Sequence, residues 1–284
     1  MSIIRKIKLT FNSRPTLEGA GVRLKRVFGN NETNLFDPFL LLDHFGSDNP
    51  DDYLAGFPWH PHRGIETITY MIRGIVEHGD SLGNKGVINS GDVQWMTAGS
   101  GIIHQEMPKP IDGLMMGFQL WANLPASHKM MDPRYRDVLE EEIPEVQNED
   151  GVKIKIVAGE INGIKGPVRD IITNPEYLDV SMPPNSTFSH NIKRGYTVFA
   201  YIFKGTGYFD ENRDPLKNAE QLILYDGGEE IKIQSADEGL RFLLISGKPI
   251  GEPVAWYGPI VMNTQEELRI AFEEYRKGTF IKHK

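Results

Sequence analysis

The sequence predicts two all-β domains, one after the other, in a chain of 284 residues. Short runs of alternating apolar and polar residues, together with 29 glycines and 18 prolines, are typical of many strands joined by tight turns. A weak internal repeat supports two related domains. Residues 67–74 can be aligned with residues 198–205, and the two segments share a tyrosine, a basic residue and a closing glycine.

Individual strands follow from this patterning. Alternation indicates strands with one wet face at residues 3–10 and 22–28, whereas the continuous apolar run 39–42 indicates a strand buried on both faces. Residues 46–57, rich in Gly, Pro, Asp and Asn, are expected to form a loop. Further strands are expected at residues 60–74, 75–78, 93–97 and 114–121.

The composition shifts between residues 132 and 150. Asp132 and Pro133 open a predicted short helix that runs to Glu142, and Pro144 ends it. Because the surrounding stretch is acidic and polar, we place a linker at residues 132–150. The predicted domains are then 1–131, which is expected to bind a metal, and 151–284.

A second helix is predicted near the end of the chain. Thr264 and Glu267 form a capping-box pattern, in which each side chain can satisfy a backbone amide of the other residue. Leu268, Ala271 and Phe272 then recur at helical spacing up to Gly278, so the helix should lie with this face against a domain.

Composition also limits the classes of function. The chain has no cysteine, which fits a reducing compartment, and its formal charge of −8 disfavours sequence-independent nucleic-acid binding. The first eight residues alternate charged with aliphatic side chains, so no signal peptide is expected. No run approaches the ~20 apolar residues of a membrane helix. We therefore expect a soluble cytoplasmic protein.

Two histidine pairs carry the clearest chemical signal. His60 and His62 are two residues apart, as are His104 and Glu106, and each pair lies in a predicted strand. Side chains two apart in a strand share a face, so adjacent strands would bring three imidazoles and one carboxylate together. Three nitrogens and one oxygen suit a first-row divalent ion and would leave octahedral positions open for substrate. We therefore predict metal ligands at His60, His62, His104 and Glu106.

Other polar residues near these pairs have simpler interpretations. Glu66 shares the face of His60 and His62 in a continuous strand, and we expect it to orient an imidazole rather than bind the metal. His78 is expected on the outer surface near a turn, and His190 on a surface or loop. Trp59 and Trp95 are candidate pocket walls, although core positions are more common for such aromatics.

The second half lacks a matching ligand set. In the register of the repeat, His60 and His62 correspond to Asn191 and Lys193, and the region of His104 corresponds to the aliphatic and aromatic residues 242–244. A metal site is therefore expected in the first domain alone.

The motifs around the histidines resemble those of a known family. His-Pro-His-Arg-Gly-Ile-Glu-Thr at 60–67 and the segment 91–107 are similar to the signature segments of the pirins, a branch of the cupins. The resemblance extends to residues 35–43 and 258–264. The glycine spacings before His60 and after Glu66 depart from the general cupin pattern in the way that pirins do. The resemblance implies a bicupin, with two antiparallel β-sandwich or jelly-roll domains.

The resemblance also implies an activity. Some pirins are similar to quercetinases, dioxygenases that open the central ring of a flavonol with O2 and release carbon monoxide. Glu106 would be the catalytic base, and Fe(II) is the expected ion, with Mn, Ni, Co, Cu and Zn as alternatives. The alternative function is a non-enzymatic, metal-dependent, redox-sensitive regulator that acts through a protein partner. The sequence leaves the native metal, the physiological substrate and the oligomeric state open.

Overall fold

The computed structural model describes residues 3–213 and 215–283, which form antiparallel sheets and two α-helices. The chain divides into two compact units, and each unit is built from separated segments. The histidine unit comprises Arg14–Glu140 and the chain from Ile250 onward. The second unit comprises the chain up to Ser13 and Glu141–Pro249.

The strands and helices follow in chain order. They are β1 (Ile7–Asn12), β2 (Arg14–Glu18), β3 (Val22–Phe28), α1 (Thr33–Phe36), β4 (Phe39–Ser47), β5 (Phe57–His62), β6 (Ile65–Arg73), β7 (Val76–Asp80), β8 (Lys85–Ile88), β9 (Val93–Thr97), β10 (Ile102–Pro108), β11 (Met115–Asn123), β12 (Arg134–Val138), β13 (Glu145–Gln147), β14 (Lys153–Ala158), β15 (Glu160–Ile161), β16 (Ile164–Lys165), β17 (Glu176–Met182), β18 (Thr187–Asn191), β19 (Thr197–Tyr208), β20 (Lys217–Asn218), β21 (Gln221–Tyr225), β22 (Glu230–Gly247), β23 (Ala255–Tyr257), β24 (Ile260–Met262) and α2 (Gln265–Lys277).

The histidine unit contains two sheets that pack face to face. One has seven strands in the order β12-β9-β6-β11-β4-β3-β2, and the other has four in the order β5-β10-β7-β8. Three contacts join the facing surfaces: His62 with Trp121, Glu106 with Thr69, and His78 with Tyr135. The space between the sheets is therefore where the predicted ligands lie.

The second unit is one curled nine-stranded sheet around an apolar core. β19 and β22 are its longest strands, and they pair with each other through most of their length. Phe242 contacts the rings of Phe188 and Phe209 in the centre of this core. His190 lies at the end of β18, with Nε2 3.3 Å from Glu176 Oε1, rather than in a loop.

The C-terminal helix forms as predicted. The Thr264 hydroxyl accepts a hydrogen bond from the Glu267 amide, and the Glu267 carboxylate accepts one from the Thr264 amide. Leu268 and Ala271 are buried, and Gly278 ends the helix in a left-handed conformation. The fold class, all-β with a closing helix, is confirmed. No helix in the described part of the chain has the length and apolar character needed to cross a membrane.

The units differ from the contiguous domains expected from the sequence. The chain crosses from the histidine unit to the second unit after residue 140, inside the predicted linker. However, the segment up to Ser13 belongs to the second unit, and the segment from Ile250 onward belongs to the histidine unit. β1 pairs with β21 of the second unit, and α2 packs on β23 and β24 of the histidine unit. Strand pairing over such long sequence separations leaves no local composition signal.

Two predicted elements were wrong. The helix expected at residues 133–142 is instead the edge strand β12, paired with β9, followed by a 3-10 turn at Glu140–Glu142. Pairing with a sheet edge overrides helix propensity here. The single strand expected for residues 60–74 is two strands in different sheets, separated by a turn at Gly64 with φ +79°. A Cβ at Gly64 would collide with the Val261 carbonyl, so this turn requires glycine.

Candidate metal centre

Three histidines converge between the two sheets. β5 and β10 are antiparallel neighbours, with His104 directly opposite His60, and His62 lies two positions from His60 on the same face. One ring nitrogen from each of the three residues lies within 4.8 Å of the other two. The period-two spacing therefore brings together three of the four side chains predicted as ligands, and this cluster could hold a divalent metal ion.

Backbone carbonyls determine the tautomers of two of these rings. His62 Nδ1 lies 3.0 Å from the Pro259 carbonyl oxygen, and His60 Nδ1 lies 2.9 Å from the Pro58 carbonyl oxygen. A carbonyl can only accept, so each Nδ1 must carry the hydrogen. In the neutral rings both Nε2 atoms then present lone pairs, and these atoms are 3.0 Å apart. Two facing lone pairs repel each other unless a cation lies beside them.

His104 supplies an independent indication of a missing ligand. It is 1% exposed, and neither of its ring nitrogens has a hydrogen-bond partner among the described residues. Buried polar atoms are rarely left without a partner, so this pair calls for an explanation. A metal ion bound at one of the two nitrogens would give that nitrogen a partner.

Electrostatics keep two of the three rings neutral. Burial, and after it the neighbouring imidazoles, hold the pKa of His62 and of His104 well below the ordinary histidine value. Neutral imidazole is the form that binds metals. Two metal–nitrogen bonds of about 2.1 Å at a right angle would place their nitrogens about 3.0 Å apart. The separation of the two Nε2 atoms therefore fits adjacent positions of an octahedral ion.

Glu106 lies beside the cluster rather than in it. It follows His104 by two positions on β10, but the β5–β10 register shifts between them, and the metal-ligand cluster includes no Glu106 oxygen. Its Oε1 accepts a hydrogen bond of 3.0 Å from the Thr69 hydroxyl, and the residue lines the same cavity as His60 and His62. Its roles as a fourth ligand and as a base stay predictions.

Glu66 does not orient an imidazole. It lies on β6, three positions before Thr69, and alternation therefore turns its side chain away from the cavity that Thr69 lines. Its Oε1 accepts a hydrogen bond of 2.6 Å from Thr97. Burial raises the pKa of the Glu66 carboxyl, against the opposing hydrogen bond from Thr97 and the nearby Arg134 and Arg136. The turn at Gly64 explains why the predicted shared face is lost.

Other site predictions also need correction. His78 is 6% exposed, lies opposite Glu106 in the β7–β10 ladder and stacks on Tyr135, so it faces inward rather than outward. Trp59 is 53% exposed, and Trp95 is buried outside the cavity lining. Neither is a pocket wall.

His60 and His62 open onto a cavity of about 600 Å³ within the histidine unit. Most of its wall is apolar or aromatic, including Leu24, Leu41, Phe45, Phe57, Trp121 and Trp256. His62 and Trp121 meet edge to face with ring centroids 5.1 Å apart. Volume and lining suit a planar aromatic molecule placed next to the metal position.

Comparisons with known proteins show the family of this chain. The pirin family model matches residues 21–122, and the model of the pirin C-terminal cupin domain matches residues 177–281. The chain belongs to the pirin family. A pirin-like protein of Caulobacter vibrioides is 40% identical over 98% of this chain and 99% of its own length. With both family models matched, the expected bicupin architecture is confirmed.

Solved structures extend the comparison. Quercetin 2,3-dioxygenase from Acinetobacter baumannii superposes with a TM-score of 0.90, is 30% identical and covers 98% of each chain. The bacterial pirin YhhW from Escherichia coli, solved with nickel(II), has a TM-score of 0.64 and is 20% identical over 85% of this chain and 98% of its own. At that identity the likeness to YhhW shows a common fold.

Two buried basic side chains hold the loop after the histidines of this pirin. Arg63 is 2% exposed; it donates to the carbonyls of Ser100 and Phe280 and pairs with Glu274 of α2 at 2.8 Å. Lys129 Nζ donates to the carbonyls of Gly64 and Val261 and to the Asn123 side chain. Burial lowers the pKa of Lys129 to about 7. Both side chains connect the turn after His62 to the C-terminal segment.

Sequence reasoning missed several residues of the site. Thr69 and Gln119 meet beside Glu106, and Trp121, Trp256 and Pro259 border the histidines. Pro259 belongs to a segment that carried the family resemblance, which was the one available signal. Thr69 and Gln119 had no such signal, because isolated polar residues in strands are normally on a wet face.

Proposed function

We propose that this protein is a metal-dependent dioxygenase that inserts both atoms of O2 into a flavonol, opens its central ring and releases carbon monoxide. The observation that carries the proposal is the convergence of three histidine side chains, two of which, His60 and His62, line a largely apolar cavity of about 600 Å³. The likeness to a quercetin 2,3-dioxygenase at 30% identity over 98% of the chain supports the same activity.

The expected cofactor is one divalent iron ion held by His60, His62 and His104, with Glu106 as the fourth protein ligand. Such an ion, when bound by these residues, would supply Lewis acidity toward a substrate hydroxyl. Neutral imidazoles at His62 and His104 leave that ion's positive charge available to the substrate.

The proton of the substrate hydroxyl needs an acceptor in the cavity. We assign this role to Glu106 Oε2, because Oε1 already accepts the Thr69 hydrogen bond. Thr69 Oγ1 also lies 2.8 Å from the Gln119 side-chain amide. A hydroxyl has one hydrogen to donate, so Thr69 donates to Glu106 when the Gln119 amide is oriented with its nitrogen toward Thr69 Oγ1. In that arrangement Gln119 donates to Thr69, Thr69 donates to Glu106 Oε1, and the orientation of the Glu106 carboxylate is fixed.

The aromatic side chains of the cavity wall position the substrate rings and exclude water. Trp121, Phe45 and Phe57 offer flat faces against which a planar ring system can lie, and they exclude water from the reacting carbons. Exclusion of water matters because a carbanion-like ring carbon would otherwise be protonated before it meets oxygen.

The test is oxygen uptake and carbon monoxide release with quercetin, using protein loaded anaerobically with Fe(II). We expect both signals in equal amounts from the wild type and loss of both in His62→Ala. His128→Ala, which changes a histidine bonded to Ser127 and absent from the cavity lining, should retain both signals. A fully loaded wild type that gives neither signal would refute the proposal.

A further inference from the structure

A row of polar side chains crosses the cavity face of the seven-stranded sheet. Arg26 pairs with Asp43, Asp43 with Gln119, and Gln119 with Thr69 in the registers of four neighbouring strands. All four line the cavity. At strand spacings of about 4.8 Å the row spans roughly 14 Å. Its Thr69 end contacts Glu106, whereas its Arg26 end has no part in the chemistry described above.

The Arg26 end is fixed by charge-assisted hydrogen bonds. Arg26 Nε and Nη2 each donate to one oxygen of Asp43 at 2.8 Å, and Nη2 also lies 2.8 Å from Glu18 Oε1. The Asp43 side chain is 6% exposed, while those of Arg26 and Glu18 are 23% and 39% exposed. A bidentate pair of this kind is rigid, so the remaining polar atoms of the trio have defined positions.

Those remaining atoms are a donor next to an acceptor. Arg26 Nη1 donates to no residue in the described ranges, and Glu18 Oε2 accepts from none. Two carboxylates and one guanidinium give the trio a net negative charge. An anionic group would therefore be repelled, whereas a hydroxyl can donate to Glu18 and accept from Arg26 at once.

We propose that Arg26, Asp43 and Glu18 form a second recognition site that selects uncharged aromatic ligands bearing hydroxyl groups on the ring remote from the metal. The inference rests on the proposed function for the placement of the other end of the ligand at the histidines. An unsubstituted ring would cover the free Arg26 and Glu18 atoms without replacing their hydration, and this is the physical source of the discrimination.

The test compares two ligands that differ in those hydroxyls alone. Flavone and 3′,4′-dihydroxyflavone both lack the 3-hydroxyl that the metal would take, so their binding does not depend on turnover. Dissociation constants can be read from quenching of tryptophan fluorescence, because Trp121 and Trp256 line the cavity. We expect the dihydroxy compound to bind the metal-loaded wild type about tenfold more tightly.

Two variants locate the effect. Glu18→Gln should reduce the preference to about threefold or less while flavone affinity stays the same. Glu77→Gln removes a comparable carboxylate, paired with Lys109 and absent from the cavity lining, and should keep the tenfold preference. Equal binding of the two flavones to the wild type, no binding of either, or an undiminished preference in Glu18→Gln would each overturn the inference.

The outcome is separable from that of the proposed function. Protein that opens the quercetin ring but binds both flavones equally would retain the dioxygenase proposal and refute the second site. Protein that prefers the dihydroxyflavone but neither consumes oxygen nor releases carbon monoxide would do the reverse.

Discussion

At the residue scale, His62 shows how the fold orients the side chain of a proposed metal ligand. Its Nδ1 hydrogen is directed to the Pro259 carbonyl, its ring is 3% exposed, and burial holds its pKa well below the ordinary value. Tautomer, orientation and charge are thus all determined by the surrounding chain. The Nε2 lone pair is left facing the metal position.

Thr69 should matter for catalysis more than for binding. Thr69→Val preserves shape and removes the hydroxyl that donates to Glu106. The loss of a hydrogen bond to a charged group is worth ~1.5–3 kcal/mol, so we expect kcat for quercetin to fall at least about tenfold with KM nearly unchanged. Thr16→Val, a half-buried position on β2 outside the cavity lining, should leave both constants unchanged, and a Thr69→Val enzyme with wild-type kcat would contradict this assignment.

The buried carboxyl of Glu66 should make the free energy of unfolding depend on pH. Its pKa is raised in the folded chain, so the unfolded carboxyl loses its proton at a lower pH than the folded one. The stability that it contributes is complete below about pH 4.3 and is lost as pH rises through the folded pKa. In urea titrations of metal-free protein, the free energy of unfolding of Glu66→Gln should therefore increase relative to that of the wild type as the pH rises from 5 to 8. A constant difference across that range would show that Glu66 does not titrate in this way.

At the scale of elements, the site depends on how β5, its following turn and α2 are joined. The guanidinium of Arg63 reaches Glu274 of α2 at 2.8 Å and lies over the Phe280 ring, 4.2 Å from its centroid. The turn that ends the histidine motif is therefore anchored to a helix more than two hundred residues away in sequence.

The Arg63 anchor can be tested by neutralising its partner. Glu274→Gln would leave the buried Arg63 charge without its carboxylate and should lower the free energy of unfolding by about 3 kcal/mol. Glu273→Gln, one residue earlier, removes an exposed carboxylate paired with Arg269 and Lys277 and should lower the free energy of unfolding far less. Chemical denaturation of both variants gives the comparison. Equal losses would mean that the Arg63 contact is not an anchor.

At the scale of the whole molecule, each unit is assembled from separated parts of the chain. The histidine unit takes the chain from Ile250 onward, and this segment supplies the Pro259 carbonyl, Trp256 and α2. A chain cut at the boundary predicted from the sequence would thus keep every predicted ligand. It would lose the C-terminal segment that contacts these ligands and lines their cavity.

A fragment of residues 1–140 tests this organisation. It contains His60, His62, His104 and Glu106, yet we expect it to be unfolded or molten and to retain less than about a tenth of a metal equivalent after dialysis. The full chain, treated in parallel, should retain one equivalent. Sharp near-ultraviolet circular dichroism and stoichiometric metal in the fragment would contradict the account.

The sequence could predict the parts of the structure that depend on the regular side-chain spacing of a strand or a helix. His60, His62 and His104 meet because strand side chains alternate and because β5 and β10 are paired. The capping box of α2 depends on residues three apart and was equally readable. Both cases follow from the regular backbone geometry of a strand or a helix.

The parts that sequence missed depend on distant partners. The Pro259 carbonyl lies 197 residues from His62, and nothing in the local pattern places it there. β12 has a helix-like composition but pairs with the edge of β9. Glu66 shared the histidine face only on the assumption of an unbroken strand, which the turn at Gly64 removes.

The central claim is that three imidazoles hold one metal ion at the cavity wall. The most direct measurement is an anomalous difference map from crystals of Fe(II)-loaded protein, collected at the iron absorption edge. We predict one strong peak per chain, about 2.0–2.2 Å from nitrogens of His60, His62 and His104. The account would be contradicted by a loaded crystal with no peak there, or with its iron bound at other residues.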